Sequence, residues 1–178
     1  MKLTGLDFET ANSSHGSICS VGCAVLEDGV VTEKREYLVR PHKSLDYVTS
    51  ACYNVHGISY YDLREAPELP EIWPVLGGML NAAECVAIHN AAFDLGHFRA
   101  ALSLYHLPAI RFPYVCSLAM SRKNFPEMRS HSLDMMASIF DHEFQHHDAL
   151  EDAVACAYIL SRMNFEEKDI KLFDFHYE

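Results

Sequence analysis

Four carboxylates and one histidine, spread over three short motifs, are the residues of this chain best suited to perform chemistry together. They are Asp7, Glu9, Asp94, His147 and Asp152. Two unit charges about 4 Å apart repel by roughly 4 kcal/mol at an effective dielectric of about 20, so clustered carboxylates are costly unless cations are bound. Hard oxygen ligands without cysteine suit Mg²⁺ or Mn²⁺, and a pair of such ions commonly assists displacement at phosphorus. The residue types therefore predict a metal-dependent site for phosphate chemistry, provided that the fold brings them together.

The first two motifs also have ordinary structural explanations. Asp7 and Glu9 are separated by one residue on a predicted strand, so both carboxylates project from one face while Phe8 points to the other. Solvated acids at a strand end would give the same pattern. Asp94 follows a short apolar strand near the start of a predicted helix, where capping or an interaction with the helix dipole would suffice. Neither motif alone decides between chemistry and local structure.

The third motif joins a histidine to a helix. Asp152 lies within the helix predicted over residues 149–163, and His147 lies just before the start of that helix. From this position His147 could reach over bound metals, while Asp152 points from the flank of the helix. Alternatively, His146, His147 or Asp148 could cap the helix. Only the combination of the three motifs therefore indicates chemistry.

The hydrophobic pattern predicts the elements that must position these residues. Alternating apolar residues and a turn signal near the N-terminus predict a three-stranded antiparallel meander. A strand followed by a helix in the middle of the chain is typical of a parallel sheet element. The predicted strands cover residues 2–8, 17–26, 30–39, 85–89 and 113–116, and the predicted helices cover residues 45–55, 67–81, 92–105, 117–123, 132–140 and 149–163.

Length and composition indicate one globular domain. The chain has 178 residues, of which 49% are hydrophobic and 22% are charged. The domain is predicted over residues 1–163, and residues 164–178, which show no clear period, are assigned to a C-terminal tail. No segment is apolar enough for long enough to span a membrane, and the N-terminus lacks the apolar core of a signal peptide, so a cytoplasmic location is expected. The six cysteines form no C-x-x-C pair and are expected to be buried, reduced thiols.

The formal net charge of −11 argues against a protein that coats nucleic acid without specificity, because such proteins are normally basic. It does not exclude a phosphodiester substrate. An enzyme that holds only the end of a strand needs few phosphate contacts, and divalent ions would supply much of the local positive field. Two groups of basic residues fit either strand binding or solvated surface charge: Lys34, Arg35, Arg40 and Lys43, and Arg122, Lys123 and Arg129.

Taken together, the three motifs resemble those of the DEDDh 3′–5′ exonucleases, the type found as the proofreading epsilon subunit of bacterial DNA polymerase III. The family pattern D-x-E-T matches residues 7–10, H-N-x-x-F-D matches residues 89–94, and H-x-A-L-x-D-A matches residues 147–153. The resemblance covers nearly the whole chain. A sister group has tyrosine four residues before the last acid, where this chain has Asp148, so the histidine type fits and the tyrosine type does not.

The resemblance implies a fold, a cofactor and a set of site residues. The fold is α/β and ribonuclease H-like, with a central mixed sheet flanked by helices. The four acids would hold two divalent ions, Mg²⁺ or Mn²⁺, and His147 would accept the proton of the attacking water. The substrate would be a nucleic acid with a free, single-stranded 3′ end, preferably DNA, shortened to nucleoside 5′-monophosphates. The candidate substrate contacts are Phe8, Thr10, His56, Ile58, Asn90 and Phe93.

The sequence leaves the substrate and the cellular setting open. An RNA-directed member of the class, such as an oligoribonuclease, uses the same acids, and contacts to a 2′-OH cannot be read from this chain. The chain could instead act chiefly as a non-autonomous proofreading or binding subunit of a DNA polymerase. Residues 170–175 resemble a sliding-clamp peptide but lack its glutamine, so a clamp partner is a weaker alternative. The oligomeric state is not predicted.

Overall fold

A six-stranded mixed sheet forms the centre of the protein in a computed structural model that describes residues 2–177. The strands stand in the order β3-β2-β1-β4-β5-β6. Their bounds are β1 Lys2–Thr10, β2 Ile18–Glu27, β3 Val30–Leu38, β4 Val86–Ile88, β5 Ile110–Cys116 and β6 Lys171–Phe175. This architecture confirms the expected central mixed sheet flanked by helices.

The predicted antiparallel meander is present at one end of the sheet. β1 pairs with β2, and β2 pairs with β3, both antiparallel. The register of the first pair shifts between Glu9 and Thr10. Such irregularities bend a strand and change the direction of its side chains, and they are frequent beside active sites. The shift falls where the motif of residues 7–10 ends.

Parallel pairing places the second motif next to the first. β4 pairs in parallel with β1, with Gly5 opposite Ala87, and β5 continues the parallel arrangement. The C-terminal ends of β1 and β4 therefore lie side by side, which brings residues 7–10 close to the segment that follows β4. β6 closes the other edge of the sheet, antiparallel to β5. It lies within residues 164–178, for which the sequence had predicted no element.

Within the described residues, seven helices flank the sheet. One short 3-10 helix covers Glu167–Asp169. The first differs from prediction: it starts at Ser50, because Thr49 caps it by accepting a hydrogen bond from the amide of Cys52. None of these helices is long and apolar enough to cross a membrane. The helices are α1 Ser50–His56, α2 Tyr60–Leu63, α3 Leu69–Asn81, α4 Ala91–Leu104, α5 Ser117–Asn124, α6 Leu133–Ile139 and α7 Ala149–Ser161.

The two faces of β1 contribute to two different parts of the core. Leu6 and Phe8 belong to a cluster with residues of α3 and α4, in which Phe8 stacks on Phe98 at 5.2 Å between ring centroids. Leu3 belongs to a second cluster, formed largely by α6 and α7. Because side chains alternate along a strand, Asp7 shares the face of Leu3 and is directed towards α7.

Helix α7 lies unusually close to the sheet because both partners present small residues. Gly5 and Gly22 face Ala153 and Ala149, and a Cβ added at either glycine would stand within 2 Å of a backbone carbonyl oxygen of α7. Ala157 continues the same helical face. This packing fixes the distance between the acids of β1 and the acid of α7.

Candidate active site

The three motifs meet at the C-terminal end of β1. Carboxylate oxygens of Asp7, Glu9 and Asp152 lie within 4.8 Å of one another. Asp7 and Glu9 reach this point because they occupy the same face of β1, and Asp152 reaches it from the first turn of α7. The fold therefore brings acids of the first and third motifs together, as a metal-dependent site requires.

Asp94 joins the cluster from the first turn of α4. It is 3% exposed, and its Oδ1 accepts a hydrogen bond from the backbone N–H of Phe8 at 3.3 Å. Asn90, at the start of the helix, has a left-handed backbone with φ of 58° and makes no side-chain capping bond. The turn at Asn90 directs α4 so that its first turn faces the end of β1. Asp94 is thus tied directly to the strand that carries Asp7 and Glu9.

Burial raises the pKa of all four acids, and neighbouring acids add to the shift for Asp7, Glu9 and Asp94. Burial, followed by the charges of Asp94 and Asp152, raises the pKa of Asp7 well above its ordinary range. Burial and the same two neighbours raise the pKa of Glu9 to about 8. Burial raises the pKa of Asp94 to about 7 although the Phe8 amide opposes the shift, and burial also raises the pKa of Asp152. In the absence of cations, the site therefore favours protonated over charged carboxyl groups.

The residues that meet here fit divalent cations. All donors in the cluster of Asp7, Glu9 and Asp152 are carboxylate oxygens, the ligand type that hard cations prefer. The raised pKa values also favour bound cations, because burial and then the repulsion between neighbouring acids disfavour charged carboxylates until positive charge is supplied. Asp94, buried beside them, is the candidate for a fourth oxygen ligand.

The histidine segment lies against Asp152. His147 has a left-handed backbone with φ of 67°, and its N–H donates to Asp152 Oδ2 at 3.2 Å. Asp148 caps α7 by accepting from the amides of Leu150 and Glu151, which resolves which of the three residues is the cap. Burial, and then the neighbouring His146, lowers the pKa of His147.

His146 is a residue of the site that the sequence argument did not select. Its Nδ1 lies 2.9 Å and 3.2 Å from the two carboxylate oxygens of Asp152, and its ring stacks on that of His147 at 3.9 Å. The motif of residues 147–153 does not include it. The only signal in the sequence was the pair of adjacent histidines.

Several of the predicted substrate contacts line one pocket beside the acids. This cavity of about 360 Å³ is bounded by Glu9, Thr10, Ala51, Cys52, Val55, His56 and Phe93. Phe93, in the first turn of α4, packs against His97 at 4.6 Å between ring centroids but is 48% exposed, which leaves part of its ring open to a planar group. Ala51, Cys52 and Val55 were not predicted as contacts, since the sequence did not show which face of α1 turns to the site.

The other predicted contacts are placed differently. The prediction that Phe8 contacts the substrate is corrected by the structure. Its ring is 4% exposed and packs in the core, so its side chain does not face a substrate. Both ring nitrogens of His56 have partners, because Nδ1 accepts from the Ile58 amide and Nε2 donates to the Thr10 carbonyl. Ile58 packs beside the small cluster around Leu63. Asn90 is exposed at the start of α4, outside the pocket lining.

Fold and site together define a class: an α/β protein with a mixed sheet whose clustered acids fit divalent cations. The model of the exonuclease family (RNase_T) matches residues 4–160. The chain therefore belongs to this exonuclease family. Its four acids and His147 match the motifs of the DEDDh type of 3′–5′ exonuclease, a type that uses divalent metal ions.

Individual relatives agree with this assignment. The chain is 29% identical over 175 residues to the DNA polymerase III PolC-type of Bacillus cereus; the match covers 96% of this chain and 12% of that relative. Among solved structures, exonuclease X in complex with 5′ overhanging duplex DNA is 22% identical, with a TM-score of 0.71 over 89% of this chain and 88% of that one. The nuclease domain of 3′hExo, a DEDDh family member bound to rAMP, is 16% identical. Its TM-score is 0.70, and the match covers 93% of this chain and 96% of that one. These structures share the fold of the chain.

Proposed function

We propose that this protein removes nucleotides from the 3′ end of single-stranded DNA by hydrolysing phosphodiester bonds and releasing nucleoside 5′-monophosphates. The observation that carries the proposal is the meeting of Asp7, Glu9 and Asp152 within 4.8 Å, with Asp94 bonded to the same strand. Four clustered acids repel one another, and bound divalent cations offset this repulsion. Two such cations commonly assist the hydrolysis of a phosphodiester bond.

The acids have the task of holding two Mg²⁺ or Mn²⁺ ions. Asp7, Glu9, Asp94 and Asp152 supply the oxygens. The chemistry that such ions supply is positive charge, which acidifies the attacking water and offsets the charge on the departing 3′ oxygen. Asp7 stands centrally in this arrangement, because its pKa is raised by all three of the other acids. Its loss should therefore impair metal binding and turnover together.

His147 has the task of accepting the proton of the attacking water. Burial and the adjacent His146 lower its pKa, so its ring is neutral near neutral pH and has a nitrogen free to take up a proton. The left-handed backbone at His147 and the bond from its N–H to Asp152 hold it at the start of α7. A base anchored to a metal ligand in this way is in place before substrate arrives.

The pocket beside Glu9 has the task of receiving the terminal nucleotide. Phe93 offers a half-exposed ring on which a base can stack, and stacking of this kind tolerates all four bases. Thr10 and His56 line this pocket, and together with Ile58 and Asn90, which lie outside its lining, they remain our candidates for contacts to sugar or phosphate. Low base preference is the expected consequence.

DNA is favoured as the substrate because the relatives found by sequence, such as the protein of Bacillus cereus, are DNA polymerases III of the PolC type. The chain spans only 12% of the length of the first of these relatives. A polymerase partner and a cytoplasmic role in DNA replication or repair are further parts of the proposal. RNA is the second candidate, because the 3′hExo nuclease domain, which is bound to rAMP, has the same fold with a TM-score of 0.70. Clamp binding through residues 170–175 is less favoured, since β6 uses most of this segment to pair with β5.

The test is a comparison of substrates under one set of conditions. Metal-free protein is mixed with single-stranded DNA or short RNA labelled at the 5′ end, and Mg²⁺ or Mn²⁺ is then added. We expect a ladder that shortens stepwise from the 3′ end of DNA, and nucleoside 5′-monophosphates as products. Shortening of RNA but not of DNA would replace the proposed substrate with the second candidate. Cleavage within the strand, or release of 3′-phosphorylated products, would overturn the proposed reaction.

A further inference from the structure

Two histidines and a carboxylate form a second group of ligands beside the four acids. One ligand atom from each of His146, His147 and Asp152 lies within 4.8 Å of the other two. His146 has no task in the reaction proposed above, although its Nδ1 lies 2.9 Å from Asp152 Oδ1. The group therefore shares His147 and Asp152 with the catalytic site and adds His146.

The composition of this group suits a different class of metal ion. Mg²⁺ prefers oxygen ligands, whereas two imidazoles and a carboxylate are typical ligands of Zn²⁺ and related transition metals. Zinc is bound at about 2.0–2.2 Å by nitrogen and oxygen in tetrahedral geometry, which places two ligand atoms roughly 3.3 Å apart. The distances from His146 Nδ1 to the two oxygens of Asp152, 2.9 Å and 3.2 Å, are close to this separation. A zinc ion could thus replace the hydrogen bond with little movement of either side chain.

The segment that carries the histidines is held in place by stacked rings. The ring of His146 packs edge-on against Phe144 at 5.6 Å between centroids, and Phe144 stacks on His142 at 6.0 Å. His142 in turn stacks on Tyr158 of α7 at 4.4 Å. Contacts of this type, together with the cap that Asp148 forms, preorganise the segment and reduce the entropy lost on binding an ion.

We propose that His146, His147 and Asp152 form an inhibitory binding site for Zn²⁺. A zinc ion at this site occupies a ring nitrogen of His147 and the carboxylate of Asp152, so that His147 no longer takes up the proton and Asp152 no longer serves the catalytic cations. Hydrolysis then stops although Mg²⁺ is present. The inhibitory part of this inference rests on the proposed function, whereas zinc binding by the three residues does not.

Zinc binding is measured first without any substrate. Metal-free protein is titrated with Zn²⁺ in a calorimeter and, separately, with Co²⁺, whose visible absorption reports tetrahedral coordination by nitrogen and oxygen. The test variant is His146→Asn, with His146→Gln as a second replacement. The matched control is His106→Asn, which removes a histidine whose ring packs on Tyr177 at the far end of α4. Thermal unfolding confirms that each variant is folded.

Inhibition is then measured with single-stranded DNA at constant Mg²⁺ and increasing Zn²⁺, each variant being compared with its own rate without zinc. We expect His146→Asn to raise the zinc concentration for half inhibition by about tenfold or more, to weaken zinc binding equally, and to abolish the cobalt absorption. His106→Asn should behave like the wild type.

Each outcome has a defined meaning. Unchanged zinc binding and inhibition in His146→Asn, or no cobalt absorption in the wild type, would overturn the site. Zinc binding that depends on His146 in a protein without exonuclease activity would support the zinc site and refute the proposed function. Zinc binding that depends on His146 without any inhibition would overturn the inhibitory role.

Discussion

Replacing Gly22 with alanine should push helix α7 away from the sheet and separate Asp152 from the acids of β1. Gly22 pairs directly with Asp7 across β1 and β2 and faces the start of α7. A Cβ at this position would lie 1.8 Å from the backbone oxygen of Ala149. Because the clashing atom belongs to a helix backbone, no side-chain rotation can relieve the contact.

The size of the effect follows from this distance. Ordinary van der Waals contact begins at 3.4 Å, so α7 must withdraw by about 1.6 Å near Ala149. Overpacking typically costs about 1–3 kcal/mol, and a clash with backbone belongs at the upper end of that range or above it. A misplacement of about 1 Å can lower an enzymatic rate about 100-fold. We therefore expect Gly22→Ala to lose at least about 2 kcal/mol of stability and about 100-fold in exonuclease rate.

The assay pairs urea unfolding with the rate of DNA shortening at saturating Mg²⁺. Gly5→Ala, whose Cβ would lie 1.9 Å from the backbone oxygen of Ala153, should behave similarly. The control is Gly78→Ala, because Gly78 is exposed within α3 and nothing lies within 4 Å of an added Cβ. This substitution should raise stability by about 0.5–1 kcal/mol and leave the rate unchanged. Wild-type stability and rate in Gly22→Ala would refute the argument that close packing of α7 sets the geometry of the site.

Three further predictions concern the acids and the start of α7. His147→Ala should lower kcat by about 10²- to 10⁴-fold while calorimetry shows Mg²⁺ binding retained; lost binding would contradict its role as base. The raised pKa values of Asp7, Glu9 and Asp94 mean that the folded protein holds more protons than the unfolded chain between the ordinary carboxyl pKa near 4 and about pH 8. Metal-free protein should therefore lose thermal stability as pH rises through this range, and Mg²⁺ should raise Tm more at about pH 8 than at about pH 6; an unchanged metal-free Tm would contradict the clustering of the acids. Asp148→Ala should cost about 1 kcal/mol in urea unfolding through loss of the helix cap, and an unchanged free energy of unfolding would contradict the capping bonds.

Much of the fold could be predicted from local pattern. The three strands of the meander show alternating or continuous apolar residues and a clear turn at residues 27–30, so their bounds were predicted within one or two residues. β6 was not predicted, since it has only five residues and its burial depends on pairing with β5. The start of α1 was misplaced because apolar spacing extends before the cap at Thr49, and spacing alone does not show where a helix begins.

The site could be predicted in its residues but not in its geometry. Asp7 and Glu9 share a strand face by simple alternation, yet their meeting with Asp152 depends on how closely α7 approaches the sheet. That approach results from glycines and alanines far apart in sequence, whose pairing no local pattern reveals. The contact between His146 and Asp152 was missed for a related reason: it depends on the left-handed turn at His147.

The most direct test of the central claim compares wild-type protein with Asp7→Asn in Mg²⁺-dependent shortening of 5′-labelled single-stranded DNA. Glu84→Gln is the matched control, because Glu84 is an exposed acid just before β4, at the opposite end of the strands from the four acids. Wild-type and Glu84→Gln proteins should shorten the strand stepwise from its 3′ end only after Mg²⁺ is added, and Asp7→Asn should leave it intact. Equal shortening by Asp7→Asn, or shortening without divalent ions, would contradict the claim that the clustered acids hold the ions that this hydrolysis requires.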